Sequence, residues 1–145
     1  MIRKATPDDI PAIVRLGLQA LAEDKPERLV IAPDRVRAVA LECVSSARNF
    51  AWVAEVDGEV RGAVCAQVGD CMFYERQAAT VVQFYAREAP GEGAKLIRQF
   101  LRWARARPAI KVVMFTLEWN ADPRIGKLLG HMGLKTALPV YMEVR

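Results

Sequence analysis

Asp57-Gly58 stands between two apolar runs, Phe50-Ala51-Trp52-Val53-Ala54-Glu55-Val56 on one side and Glu59 to Val68 on the other. A two-residue Asp-Gly turn matches the twist of paired strands, so this spacing predicts an antiparallel hairpin. The second half of the chain is patterned differently. Thr80-Val81-Val82-Gln83-Phe84-Tyr85-Ala86 is β-branched and aromatic and predicts a central strand. Arg87 to Gly93, with Pro90-Gly91, predicts a turn, and Ala94, Ile97, Leu101 and Ala104 then recur at helical spacing with Phe100 and Trp103 beside them. Ile110 to Thr116 reads as another core strand. A hairpin followed by a β-α-β crossover requires a mixed sheet covered by helices on its faces.

The flanks extend this order. Ile2 to Ala5 is a short strand candidate, and Thr6-Pro7-Asp8-Asp9 carries an N-cap residue, a first-turn proline and two acids suited to a helix start. Ile10, Ile13, Val14, Leu16, Leu18 and Leu21 continue that helix at helical spacing, and Asp34 after Pro33 opens a second. Ala22 to Ala32 reads as a loop or a broken helical turn, and Gly69 to Gln77 as a loop or a ragged strand edge. Asp122-Pro123 starts a short helix capped by Gly133, and Pro139 to Val144 reads as a last strand. With 145 residues, no internal repeat and no linker, the chain is expected to form one domain spanning 1–145.

Composition excludes several chemistries. The one histidine, His131, rules out a site needing two imidazoles, and its place in the last turn of a short helix suits a cap. The two serines, Ser45 and Ser46, lie in no Gly-x-Ser-x-Gly frame. Cys43, Cys65 and Cys71 form no C-x-x-C, so no metal site is expected and the thiols read as reduced, as in a cytoplasmic protein. Charges occupy the N-terminus where a signal peptide would be apolar, and no apolar run approaches membrane-spanning length, so no membrane association is expected. The net charge of +4 permits an anionic partner. Arg98, Arg102 and Arg105 make a basic stripe whose default is a solvated helix face. Nucleic acid is disfavoured as its partner because no recognised binding motif or aromatic platform accompanies it.

The most informative stretch is Val81 to Ile97, a strand followed by a glycine-containing turn and an amphipathic helix. Glycines let the backbone approach a bulky anion, and a helix N-terminus offers unpaired amides to phosphate. Gly91-Glu92-Gly93 followed by Leu96-Ile97, the Asn120…Gly133-Leu134 segment, and the opening Ile2 to Asp9 together resemble the GNAT superfamily of acetyl-CoA-dependent N-acetyltransferases. The resemblance covers essentially the whole chain. It implies an α/β (α+β) fold with a mixed, mostly antiparallel central sheet and helices on both faces.

It further implies that the backbone of Phe84, Tyr85 and Ala86 pairs with the pantetheine arm of coenzyme A as an added strand. By the same resemblance, the amides of Gly91, Glu92, Gly93, Ala94 and Lys95 bind the pyrophosphate, Asn120 lies near the thiol end, and Arg124 or Lys127 reaches the adenosine phosphate. The implied activity is transfer of an acetyl group from acetyl-CoA, without a metal, to a small-molecule or peptide amine. Self-association as a homodimer stays open. The sequence departs from the family pattern at four points. Glu88 stands where Gln or Arg is usual (Arg87 lies one residue earlier), Glu92 brings a negative charge to the pyrophosphate turn, Pro90 removes an amide donor, and Leu129 stands where a tyrosine often serves as the acid.

Two groups are candidates for proton transfer. Glu118 could act as a base through water or be a solvated loop carboxylate, and Tyr141 could be a displaced acid or a half-buried sheet tyrosine. Tyr85 is read as structural or as a lip of the cofactor groove. The loops after the first helix and around Gly69 to Gln77 are expected to form the substrate side. The alternative to an enzyme is a non-catalytic acyl-CoA-binding or protein-interaction module on the same fold, which Leu129 and the acidic turn motivate.

Overall fold

The structure, a computed structural model, describes residues 1–24, 29–117, 121–137 and 141–145. Its elements run β1 (Ile2–Lys4), a single 3-10 turn (Pro7–Asp9), α1 (Ile10–Asp24), α2 (Pro33–Ser45), β2 (Phe50–Val56), β3 (Glu59–Asp70), β4 (Gln77–Tyr85), α3 (Glu92–Arg105), β5 (Ile110–Phe115) and α4 (Pro123–His131). The strands form one sheet in the order β1-β2-β3-β4-β5, with every pair antiparallel except β4 and β5. The hairpin turn forms as expected, with Asp57 at φ 53° and Gly58 at φ 79°.

Helices cover both faces, which is why β2 and β3 are apolar on both sides instead of alternating with polar residues. On one face α3 lays Leu96, Ile97, Phe100, Leu101 and Ala104 against Phe50, Val64, Ala66 and Val81. On the other, α1 and α2 pack Ile13, Leu16, Ala40 and Cys43 against Ala51, Val53, Ala63 and Cys65. The stacked and edge-on rings of Phe50, Trp52, Phe100 and Trp103 fill the α3 side.

Several expectations change. β5 is not a core strand: Lys111, Val112 and Met114 are exposed, and among the described residues it is the sheet's outer strand beyond β4. The expected last strand falls partly on residues 138–140, outside the described ones, and Tyr141 to Arg145 is not a strand. Gly69 and Asp70 belong to β3, β4 already begins at Gln77, and Ala86 lies beyond its end.

The entry to α1 is fixed by charge. The Arg3 guanidinium donates to both Asp9 oxygens at 2.7 and 2.8 Å and to Glu55 Oε1 at 2.6 Å, while the Thr6 amide donates to Asp9 at 2.7 Å. The Asp9 side chain is only 7% exposed, and Arg3 holds its carboxyl below the usual carboxylate range. The stabilisation from this pair is full above the unfolded carboxyl value of about 3.9 and is lost as pH falls through the lower folded value. Asp9→Asn should therefore cost about 1.5–3 kcal/mol at neutral pH. Urea unfolding should show the gap between wild type and variant narrowing as the pH is taken well below the ordinary carboxylate range.

Candidate cofactor and acceptor site

The site begins with an irregularity in β4. Cys65 of β3 pairs with Gln83, but the next residue, Ala66, pairs with Val81, so Val82 is an extra residue in β4. Such a bulge reverses which face the following side chains occupy. Val81 belongs to the α3-side core and so does Phe84, three residues on, while Gln83 and Tyr85 turn to the α1 side. Gln83 Nε2 donates to the Ile13 carbonyl of α1 at 2.9 Å. Gly17 makes room for it, since a Cβ there would sit 2.8 Å from Gln83 Oε1.

The same irregularity separates β4 from β5. Their parallel ladder runs from Gln77↔Ile110 to Val81↔Phe115 and ends there. From Gln83 to Tyr85, β4 pairs with β3 on one side only among the described residues. A stretch of backbone amides and carbonyls is thus left open along the β5-facing edge, with Phe84 and Phe115 meeting edge to face at 5.4 Å across the divergence.

The glycine turn follows directly. The Ala89 amide donates to the Ala86 carbonyl and the Glu92 amide to the Ala89 carbonyl, both at 3.1 Å. Gly91 caps α3 at φ 78°, a left-handed conformation that disfavours a side chain although no atom lies within 4 Å of where its Cβ would be. Gly93 has the complementary reason, because its Cβ would sit 3.0 Å from Ala86 Cβ. Helix geometry leaves the amides of Gly91, Gly93 and Ala94 without an intrahelical partner, pointing out of the first turn of α3. The Glu92 amide is already used within the turn.

Glu92 does not confront that anion site with a free charge. Its carboxylate receives the Lys95 ammonium at 2.7 Å and lies 3.4 Å from the Met1 amine, and its side chain is 13% exposed. The Lys95 ammonium foremost holds the Glu92 carboxyl below the usual range. Arg124, a candidate for the adenosine phosphate, is likewise committed: its guanidinium binds both oxygens of Asp122, the N-cap of α4, at 2.6 to 3.1 Å. Arg124 foremost depresses the Asp122 carboxyl, and Arg87 adds to the effect. Lys127 is exposed on α4.

Other expected site residues are not brought together. Glu118 and Asn120 lie outside the described residues. Tyr141 is 92% exposed, in no strand, and so is not the half-buried sheet tyrosine that one option required. The loop after β3 joins the far end of β4, where Asp70 pairs with Gln77, and so cannot share a site with the glycine turn after Tyr85. Leu129 is 6% exposed and packs in the α3-side core, so this position faces the interior.

One group was missed by sequence reasoning. Glu23, in the last turn of α1, accepts from the Tyr85 hydroxyl at 3.3 Å and pairs with Arg87 Nη1 at 2.8 Å. Burial, reinforced by the Glu23 and Glu88 carboxylates, pushes the Tyr85 hydroxyl above the ordinary phenol range. A polar glutamine interrupting the apolar run Val81 to Tyr85 was the available signal for the bulge that brings these groups together.

Comparison with known proteins supports the architecture. No family model matches the sequence, and no curated protein does. Solved structures do match. A predicted acetyltransferase from Clostridium acetobutylicum, crystallised with acetyl-CoA, is similar over 100% of this chain and 95% of its own, with TM-score 0.76 and 14% identity. A possible acetyltransferase from Clostridium difficile 630 is similar over 100% and 97%, with TM-score 0.72 and 13% identity. An aminoglycoside acetyltransferase from an uncultured soil metagenomic sample, in complex with sisomicin, is similar over 100% and 96%, with TM-score 0.64 and 14% identity. The chain shares the fold of these solved acetyltransferases, the architecture that the sequence resemblance implied.

The two glycines should respond differently to substitution. Gly91→Ala should cost about 1–2 kcal/mol through backbone conformation, and Gly91→Asn less, because asparagine tolerates positive φ better. Gly93→Ala should cost about 1–3 kcal/mol through overpacking, and pairing it with Ala86→Gly should restore part of that loss. Urea unfolding of the variants checks both.

Proposed function

We propose that the chain is an acetyl-CoA-dependent N-acetyltransferase acting on an amine of a small molecule or peptide, with residues 1–145 as one domain. The observation that carries this is the open β4 edge after Val82 leading into the glycine turn and the free amides of α3. An extended pantetheine arm suits such an edge, because it can pair with backbone groups around Phe84, Tyr85 and Ala86 as an added strand would. The pyrophosphate suits the amides of Gly91, Gly93 and Ala94, with Lys95 available if its exposed bond to Glu92 opens. Arg124 and Lys127 remain the candidates for the adenosine phosphate, Asn120 for the thiol end and Glu118 for a base acting through water. The acetyl-CoA complex of the clostridial neighbour lends support by its fold alone. No described helix is long and apolar enough to cross a membrane.

Transfer needs an oriented thioester, a neutral amine and a proton for the departing thiolate. Holding the reactants in line supplies about 7–11 kcal/mol of barrier reduction in favourable cases. General acid catalysis contributes roughly 10²–10⁴-fold. The family's usual tyrosine position cannot supply that acid here, because Leu129 carries no ionisable group. This favours a second reading, a non-catalytic acyl-CoA-binding module.

Isothermal titration with acetyl-CoA separates these ideas from unrelated functions: saturable binding is expected, and none at millimolar cofactor ends both. Thiol release with a panel of primary amines then separates the enzyme from the binding module, with slow but measurable turnover expected. Leu129→Tyr should not accelerate that turnover. It should destabilise the chain by about 1–3 kcal/mol, because the larger ring and its hydroxyl enter a packed apolar interior.

A further inference from the structure

We propose that Glu23 receives an ammonium group of the acceptor other than the amine that is acetylated, and that in the present structure Arg87 occupies its place. The inference rests on the acetyltransfer reading and specifies its substrate class as an amine that carries a second, cationic amino group. The Glu23 carboxylate meets two different groups. One is the Tyr85 hydroxyl at 3.3 Å, from a side chain that is 5% exposed and fixed in the sheet. The other is the Arg87 guanidinium at 2.8 Å, on a side chain more than half exposed. One oxygen is therefore held by a rigid buried donor while the other is covered by a mobile surface cation.

The location matters as much as the pairing. Tyr85 is the last residue of β4, and its backbone belongs to the open segment after the bulge. Arg87 begins the glycine turn and lies close enough to Asp122, at the start of α4, to help depress that carboxyl. Glu23 thus sits where the end of α1 meets the end of β4 and the residue that opens the glycine turn. The bulge is what aims Tyr85 at α1; without it this side chain would face α3.

A solvent-exposed Arg–carboxylate pair contributes little net stability, so an incoming ammonium displaces the guanidinium at small cost. The carboxylate it then meets is oriented by the Tyr85 hydroxyl at 3.3 Å. Substrate binding and the existing ion pair compete for one group.

This competition predicts opposite signs for two substitutions, which a purely structural tether would not. Sisomicin, a polyamine, serves as the probe, titrated into uniformly labelled full-length protein and followed by NMR. Glu23→Gln should weaken its binding at least tenfold. Arg87→Ala should strengthen it several-fold, and the Tyr85 ring signals should shift on binding to wild type. Acetyl-CoA titration of the same proteins is the control. Unchanged acetyl-CoA binding in all of them, together with equal sisomicin affinity for wild type and Glu23→Gln, overturns the proposal while leaving acetyltransfer standing. Weakening in both variants, or no sisomicin binding at millimolar concentration, also overturns it. Absence of acetyl-CoA binding in wild type instead removes the reading on which it rests.

Discussion

The extra residue in β4 is the constraint from which the site follows. Without Val82 out of register, β4 would pair continuously between β3 and β5, and Gln83 and Tyr85 would point into the α3-side core. A polar amide there would be buried without a partner, at a cost comparable to several ordinary stabilising contacts. The bulge instead hands Gln83 to the Ile13 carbonyl and seats it against Gly17, so the local loss of ladder bonds is offset by a specific bond to α1. The remaining open backbone lies at an edge, where water satisfies it at little cost until an extended ligand replaces the water.

Charge at the site is organised by short-range pairs. Glu92 takes Lys95, Asp122 takes Arg124, and Glu23 takes Arg87, each cation bound by an acid that shares its neighbourhood. The net positive charge of the chain therefore contributes less to an anion at the glycine turn than its count suggests. Fixed polarity is left to the backbone, whose amides at the start of α3 cannot be neutralised by a swinging side chain. The Arg124–Asp122 and Arg87–Glu23 pairs are open to solvent and contribute little net stability, whereas the Glu92 carboxylate is 13% exposed and depends more on Lys95.

Much of the architecture was legible because local rules and long-range packing agree. Asp57-Gly58 permits only a tight turn, and the apolar stripe of α3 permits only one buried face, so the hairpin and the crossover could be placed from the residues alone. The glycine turn was legible for its type but not for its reasons, since Gly91 answers to φ and Gly93 to the Ala86 methyl. The bulge was hinted at only by Gln83 within an apolar run, because an extra residue in a strand is decided by pairing with β3, which the local pattern does not fix. Glu23 was hidden for the same reason: it is a helix-end carboxylate in sequence and becomes a site residue only when Tyr85 is turned toward it. β5 misled because Val112 and Met114 are β-branched or apolar like core residues, yet they lie on the outer strand.

The burial of Leu129 shows how packing constrains chemistry in this chain. α4 docks through Leu129, with Leu128 and Met132 beside it, onto the face that α3 already covers. A hydroxyl at that position would have to enter an apolar layer. The open β4 edge and the α3 amides are therefore backed by the packed α3 and α4, whereas the charged groups of Glu23 and Arg87 meet the buried Tyr85 hydroxyl at the more exposed end of β4.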